Sequence, residues 1–320
     1  MPGDGQARGR AYASFEYAKC LEHVGAPLRL ERSGLTLLAR PIPASSRRDL
    51  VGPYPLLPVA EPAALVADLD ELARGEDPPV SFVAVTDPLV TRDTDALSSA
   101  FGERARPFKR HFLVDPRLPE EERVSKHHAK ELRRARRFAT FEVVDGECAR
   151  EDWVRLYTGL VDKLGLTGAS AFPAASLAAQ LELDGALCVR AVEECGRVTA
   201  IALMLRDGPR AWYHLAAQDD VGRKHQAGYG ALAEALRRLA NDGVEVVDLG
   251  AAAGLEESAT DGLAKFKSGF AGSVEDGARA EAWLLGRVLD DDAYRVLSGD
   301  RDSGTSFFPA YRAFVEGSAS

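Results

Sequence analysis

Three apolar stretches follow one another closely, Ala186 to Glu193, Val198 to Leu205 and Arg210 to Ala216, and the turns between them contain Gly196 and Gly208. Connections this short join neighbouring antiparallel strands, because a parallel pair needs a crossover of a dozen residues or more. The three therefore read as a meander. Their apolar content is nearly continuous rather than alternating, which calls for a sheet covered on both faces. A polar segment with glycines follows, Gln218 to Gly230. After it come a helix with Leu232, Leu236 and Leu239 on one face and a short buried strand, Val244 to Gly250. Strand, loop, helix and strand in this order make the class α/β.

Upstream the pattern is similar. Tyr12 to Val24 reads as a short helix, and Leu28 to Arg40 as a hairpin broken at Arg32-Ser-Gly34. Pro41 to Pro58 holds five of the seventeen prolines, so that backbone is expected to be irregular. A helix is expected over Pro62 to Arg74 and a strand over Val80 to Thr86; after a polar link comes a strand over Pro107 to Asp115. One helix then runs from Pro119 to Phe138, followed by a strand at Thr140 to Val144 and helices at Arg150 to Leu164 and Pro173 to Leu183. The chain closes with a strand over Ala278 to Leu285 and helices at Asp290 to Leu297 and Phe307 to Val315.

Length and charge narrow the function. With 320 residues, 46% of them hydrophobic, the chain can fill two ordinary domains. A net charge of -9 excludes coating nucleic acid by bulk charge and leaves room only for a local basic patch. The one basic concentration is Ser125 to Arg137, with Lys126, Lys130, Arg133, Arg134, Arg136, Arg137 and the pair His127-His128. It reads equally as a solvated helix face or as a surface for phosphates, and the two histidines are expected at the surface. Cys20, Cys148, Cys188 and Cys195 lack zinc-ligand spacing, so free thiols and no metal are expected. The first residues lack the apolar core of a signal peptide, and no run of some 18 apolar residues occurs. A cytoplasmic protein with a disordered N-terminus over residues 1–11 and no membrane insertion is the reading.

The densest functional stretch is Asp261-Gly-Leu-Ala-Lys-Phe-Lys-Ser-Gly-Phe-Ala-Gly272, which combines two cations, two aromatics and terminal glycines just after the Val244–Gly250 strand. Three segments, taken in order and spacing, resemble the Fem-type branch of the GNAT acyltransferase superfamily. They are Tyr213-His-Leu-Ala-Ala with the glycine-led helix after it, Gly243-Val-Glu-Val-Val-Asp-Leu-Gly250, and Gly262-Leu-Ala-Lys-Phe-Lys-Ser-Gly-Phe-Ala-Gly272. The last is similar to the family's Gly-Leu…Phe-Lys-x-x-Phe-Gly-Gly signature, with Ala271 in place of the first closing glycine. The basic run also resembles a helix of that family, with Lys130 supplying a cation where the family has arginine and Leu132 at an isoleucine position.

The resemblance implies two GNAT-like lobes with mixed, mostly antiparallel sheets flanked by helices. Residues 12–118, with 290–320 packed on them, would form the first lobe, and 119–289 the catalytic second lobe. No long charged heptad insertion is present, so the coiled-coil arm of some cell-wall ligases is absent, which argues against a peptidoglycan-precursor acceptor. The implied activity is transfer of an aminoacyl group from aminoacyl-tRNA, as co-substrate with no bound cofactor, to the amine of a small-molecule or peptidyl acceptor. Lys267 would stabilise charge developing on the carbonyl oxygen, Phe266 would support the terminal ribose or adenine, and Asp248 would orient the amine or simply cap a strand. Lys126, Lys130, Arg133, Arg134 and Arg137, with Arg223 and Lys224, would meet the tRNA. Gly228 and Gly230 would open an anion-binding helix start. Tyr213 and His214 either face the cleft or pack in the core, and Phe270 pairs with Phe266 in the core. His225 stands where the superfamily's pyrophosphate loop has Arg or Gln, which removes a contact expected for coenzyme A. An acyl-CoA-dependent N-acyltransferase and a non-catalytic binding protein on the same fold remain the alternatives.

Overall fold

The computed structural model describes residues 11–252, 262–271, 279–299 and 307–313. Clustering of the chain gives two compact units. One takes the described residues up to Phe108, Thr167–Phe172, and those from Ala282 onward; the other takes Lys109–Leu166 and Pro173–Glu281.

The first unit opens with α1 (Phe15–Lys19), then β1 (Ala26–Arg29), β2 (Thr36–Pro41), β3 (Arg48–Val51), α2 (Pro62–Ala73), β4 (Ser81–Val85) and α3 (Thr94–Phe101). Strand β5 (Ala105–Val114) leads into the second unit, with α4 (Glu120–Arg123), α5 (Lys126–Phe138), β6 (Ala139–Val144), α6 (Gly146–Leu164) and α7 (Ala174–Leu181). There follow β7 (Ala186–Glu193), β8 (Val198–Asp207), β9 (Arg210–Gln218), α8 (Asp220–His225), α9 (Ala227–Asn241), β10 (Val246–Asp248) and α10 (Gly262–Ser268). β11 (Arg279–Val288) and α11 (Asp291–Ser298) return to the first unit. Side-chain oxygens of Ser14, Asp93, Ser125, Asp145, Asp219 and Asp290 cap helix starts by accepting an N–H three residues on.

In the first unit the strand order is β1-β2-β3-β4-β11, antiparallel except for β3 with β4. Leu28 lies opposite Leu37 in the expected hairpin. Leu37, Leu50, Leu65, Leu69, Phe82 and Leu97 fill its core. In the second unit the order is β5-β10-β9-β8-β7-β6, antiparallel except for β10 with β9. The meander is β7-β8-β9, and Leu232, Leu236 and Leu239 of α9 close over it with Met204, Val247 and Phe270. Both sheets are mixed and mostly antiparallel, as an α/β chain of this pattern requires.

Several local expectations are corrected. The proline-rich stretch is not wholly irregular, since it contains β3. The reason is Asp49, fully buried there, whose carboxylate accepts from Arg40 Nε at 3.0 Å, Arg312 Nε at 2.6 Å and the Tyr311 hydroxyl at 3.0 Å. The segment expected as a polar link holds α3. The helix expected from Pro119 to Phe138 is two helices, interrupted at Val124-Ser125 because Ser125 turns extended to cap α5. Gln218 to Gly230 is not a loop but the last residue of β9, α8 and the start of α9, the two helices joined at Gln226, which has φ +65°. The final helix is a single 3-10 turn, Ala310–Arg312, as far as the described residues reach. The expected disordered N-terminus lies outside the described residues except for Ala11, which begins a buried 3-10 turn. Residues 253–261, between the expected Val244–Gly250 strand and the Phe266-Lys267 motif, lie outside them too. No helix among the described residues is long and apolar enough to cross a membrane.

Candidate active site

β10 is only three residues long, yet it is hemmed in on both sides: Val247 lies opposite Val114 of β5 and Asp248 beside Trp212 of β9. Two residues beyond its end stands Gly250, whose φ of +79° turns the chain in a way that L side chains resist. Asp248 is 1% exposed, so its carboxylate must find partners within the protein. Oδ1 accepts the Gly250 N–H at 2.6 Å, and Oδ2 pairs with Nδ1 of the buried His111 on β5 at 2.8 Å.

The other side of the same turn belongs to α10. Lys267 is 8% exposed, and its ammonium donates to the Ala251 carbonyl at 2.7 Å. A Cβ added to Gly250 would stand 2.9 Å from that nitrogen, so the ammonium lies directly against the glycine. Carboxylate and ammonium thus hold the two ends of one turn, Gly250-Ala251. Phe266 points elsewhere, packing with Tyr229 at 4.8 Å and Phe270 at 5.3 Å between ring centres, with Tyr213 at 6.3 Å. Phe270 is fully buried.

What fixes α10 is His128, which is buried and not, as expected, on the surface. It lies on the inward face of α5 with Leu132 and Ala135, while His127 points out. Nε2–H donates to the Phe266 carbonyl at 2.8 Å, leaving Nδ1 to accept from the Ser125 hydroxyl at 3.1 Å. Ser125 N–H donates to the Gly269 carbonyl at 2.9 Å. The ring fills the space that a side chain on Gly269 would need, since an added Cβ would lie 2.1 Å from it. Burial lowers the His128 pKa, and the bond to the Phe266 carbonyl acts the other way.

The outer face of α5 carries the expected cations, divided in two. Arg136 pairs with Glu120 at 2.6 and 2.8 Å, and Arg134 lies 3.8 Å from Glu131. Lys126, Lys130, Arg133 and Arg137 are exposed and make no ion pair among the described residues. Their spacing of four, three and four residues puts them in one stripe, about 16 Å long at 1.5 Å per residue. At the far end Phe138 stacks on His225 of α8 at 4.1 Å, and Arg223 and Lys224 on α8 are exposed.

Other expected residues stand apart. His214 is the bulged residue of β9; it is buried, and its Nε2 bonds Gln180 Oε1 at 2.9 Å. Burial pushes its pKa down to about 3. The Gly228 N–H donates to the Gln218 side chain at 3.2 Å and the Tyr229 N–H to the Gln226 carbonyl at 3.0 Å, so these first-turn donors of α9 are occupied. Gly230 is where the Phe141 ring of β6 touches the helix; a Cβ would lie 2.0 Å from it. Sequence reasoning missed His111, His128 and Gln218. Ser125 before a helical run was a visible capping signal, whereas nothing near His111 in the sequence points to Asp248.

No protein-family model matches the chain, and no curated protein matches it significantly. Solved structures do match. FemX aligns with a TM-score of 0.63 at 14% identity, covering 91% of this chain and 95% of that one. The C-terminal domain of a candidate lysylphosphatidylglycerol synthetase from Agrobacterium fabrum aligns with a TM-score of 0.61 at 16% identity, covering 90% of each chain. L-PGS from Bacillus licheniformis aligns with a TM-score of 0.55 at 14% identity, covering 88% of each. The chain therefore has the α/β fold of FemX, as its Fem-type motifs led one to expect.

Proposed function

We propose that this protein is an aminoacyltransferase that moves an aminoacyl group from aminoacyl-tRNA to the amine of a small-molecule or peptidyl acceptor, forming an amide. The observation that carries the reading is the Lys267 ammonium, buried and held at the Gly250-Ala251 turn, in the same Phe-Lys pair that marks the Fem-type resemblance. A neutral amine attacks the ester carbonyl, and negative charge grows on the carbonyl oxygen before the ribose hydroxyl leaves. A fixed ammonium in a dry setting favours that charge more than it favours the uncharged ester, so it accelerates the step.

Phe266, in its aromatic cluster, offers a surface for the terminal ribose or adenine. The stripe Lys126, Lys130, Arg133, Arg137, with Arg223 and Lys224, supplies the local cations that a net charge of -9 otherwise withholds from an RNA donor. Donors of this kind place the chain in the cytoplasm. The acyl-CoA alternative loses ground at the start of α9, where Gln218 already takes the Gly228 N–H and His225 is stacked on Phe138.

The test offers labelled charged-tRNA pools and acetyl-CoA in parallel to candidate amines and reads the product mass. Transfer from tRNA that RNase abolishes supports the proposal; transfer from acetyl-CoA alone replaces it. Lys267→Met, which keeps the buried volume, should cost about 10²–10³ in turnover. Native melting behaviour with near-normal turnover in that variant would refute the assignment.

A further inference from the structure

Every transfer to an amine has a proton to dispose of. Once nitrogen has attacked the carbonyl it is positively charged, and the amide forms only after an N–H proton has left. Lys267 cannot take it, because an ammonium has donors and no lone pair. Asp248 spends Oδ1 on the Gly250 N–H and Oδ2 on His111.

Of the six histidines, His111 alone pairs with a carboxylate and leaves its second ring nitrogen without a partner among the described residues. His128 has both nitrogens engaged, and His214 is committed to Gln180 in the core. Asp248 accepts the Nδ1–H, which fixes the neutral tautomer in which Nε2 carries the lone pair. The arrangement is that of an oriented general base, with nucleophile still to come from the substrate.

We propose that His111 is a catalytic residue, its Nε2 taking the proton from the attacking amine, and that Asp248 is the positioning residue that holds the imidazole for it. This rests on the transferase reading above and holds for either acyl donor. The N–C bond forms as the carbonyl π pair moves to oxygen; Nε2 removes the N–H proton; the carbonyl re-forms and expels the leaving atom, the ribose oxygen of an aminoacyl-tRNA or the thiolate sulfur of an acyl-CoA, which takes that proton back from Nε2. Atoms and charge balance, and His111 returns neutral. Of the charged groups on the elements beside it, Asp248 of β10 bonds the ring, Lys267 reaches the Ala251 carbonyl, Lys109 of its own strand donates to the Ala252 carbonyl at 3.4 Å, and the Arg279 guanidinium covers the Phe112 ring at 4.3 Å.

His111→Asn retains a donor for Asp248 and removes the base, so it separates chemistry from folding. With the donor that the wild type uses, this variant should lose about 10²-fold or more in turnover. His111→Gly should regain turnover on adding imidazole. A natively melting His111→Asn with wild-type turnover, or a His111→Gly that imidazole does not rescue, would overturn the proposal. Nitrogen NMR of the imidazole gives a readout free of activity: in the neutral ring, Nδ1 protonated and Nε2 bare is expected, with the tautomer preference lost in Asp248→Asn. A protonated Nε2 in the neutral ring overturns it. A wild type silent with both charged tRNA and acetyl-CoA instead ends the transferase reading itself, which is distinguishable from an active enzyme indifferent to His111.

Discussion

A methyl group on Gly250 would have to occupy space 2.9 Å from the Lys267 nitrogen, on a backbone whose φ is +79°. Gly250→Ala is therefore expected to cost about 1–2 kcal/mol of backbone strain. It should also push the ammonium from the turn, so transfer falls further than melting temperature suggests; comparing the two measurements checks this. His214 gives a prediction on pH. Its folded pKa is held near 3 against an ordinary 6.5, so the unfolded chain binds the proton more readily. The stability this group contributes is complete above pH 6.5 and is lost as the pH falls from there toward 3. Between neutrality and about pH 4.5 this group alone should remove roughly 2–3 kcal/mol, a loss that His214→Gln should reduce in denaturant titrations at the two pH values.

At the scale of elements, α5 and α10 are joined by His128 and Ser125, so the helix with the outward cations also seats the helix with the buried one. His128→Ala strands the Phe266 carbonyl and opens a hole among Tyr229, Phe266 and Phe270. A loss of about 2–4 kcal/mol in chemical denaturation is expected, with impaired transfer although His128 touches no reacting atom. Periodicity made much of this architecture legible: the β7-β8-β9 meander, the leucine face of α9 and the β1-β2 hairpin all follow from local pattern. The Phe266-Lys267 pair was visible as a motif. Other features depend on partners that local pattern does not contain. His111 meets Asp248 across 137 positions, His128 was hidden by the charges flanking it, and β3 lies among prolines because Asp49 is held by a residue 263 positions away.

For the molecule as a whole, with a net charge of -9, the RNA donor proposed above would be met by the stripe of four exposed cations on α5, with Arg223 and Lys224 beyond its end. If those four neutralise phosphates, log Kd for tRNA should change with log salt concentration with a slope of about 3. Filter binding across a salt series measures it, and changing Lys126, Lys130, Arg133 and Arg137 to Glu should abolish the dependence. The layout of the chain also dictates an order of assembly. Asp49 emerges well before Arg312 and waits for it, and β4 waits for β11, whereas Lys109 to Glu281 comes out in a single passage broken only by Thr167–Phe172. The unit whose first strands leave the ribosome earlier is consequently the one completed later, and its unpaired strand edge stays open to chaperones until β11 has been made.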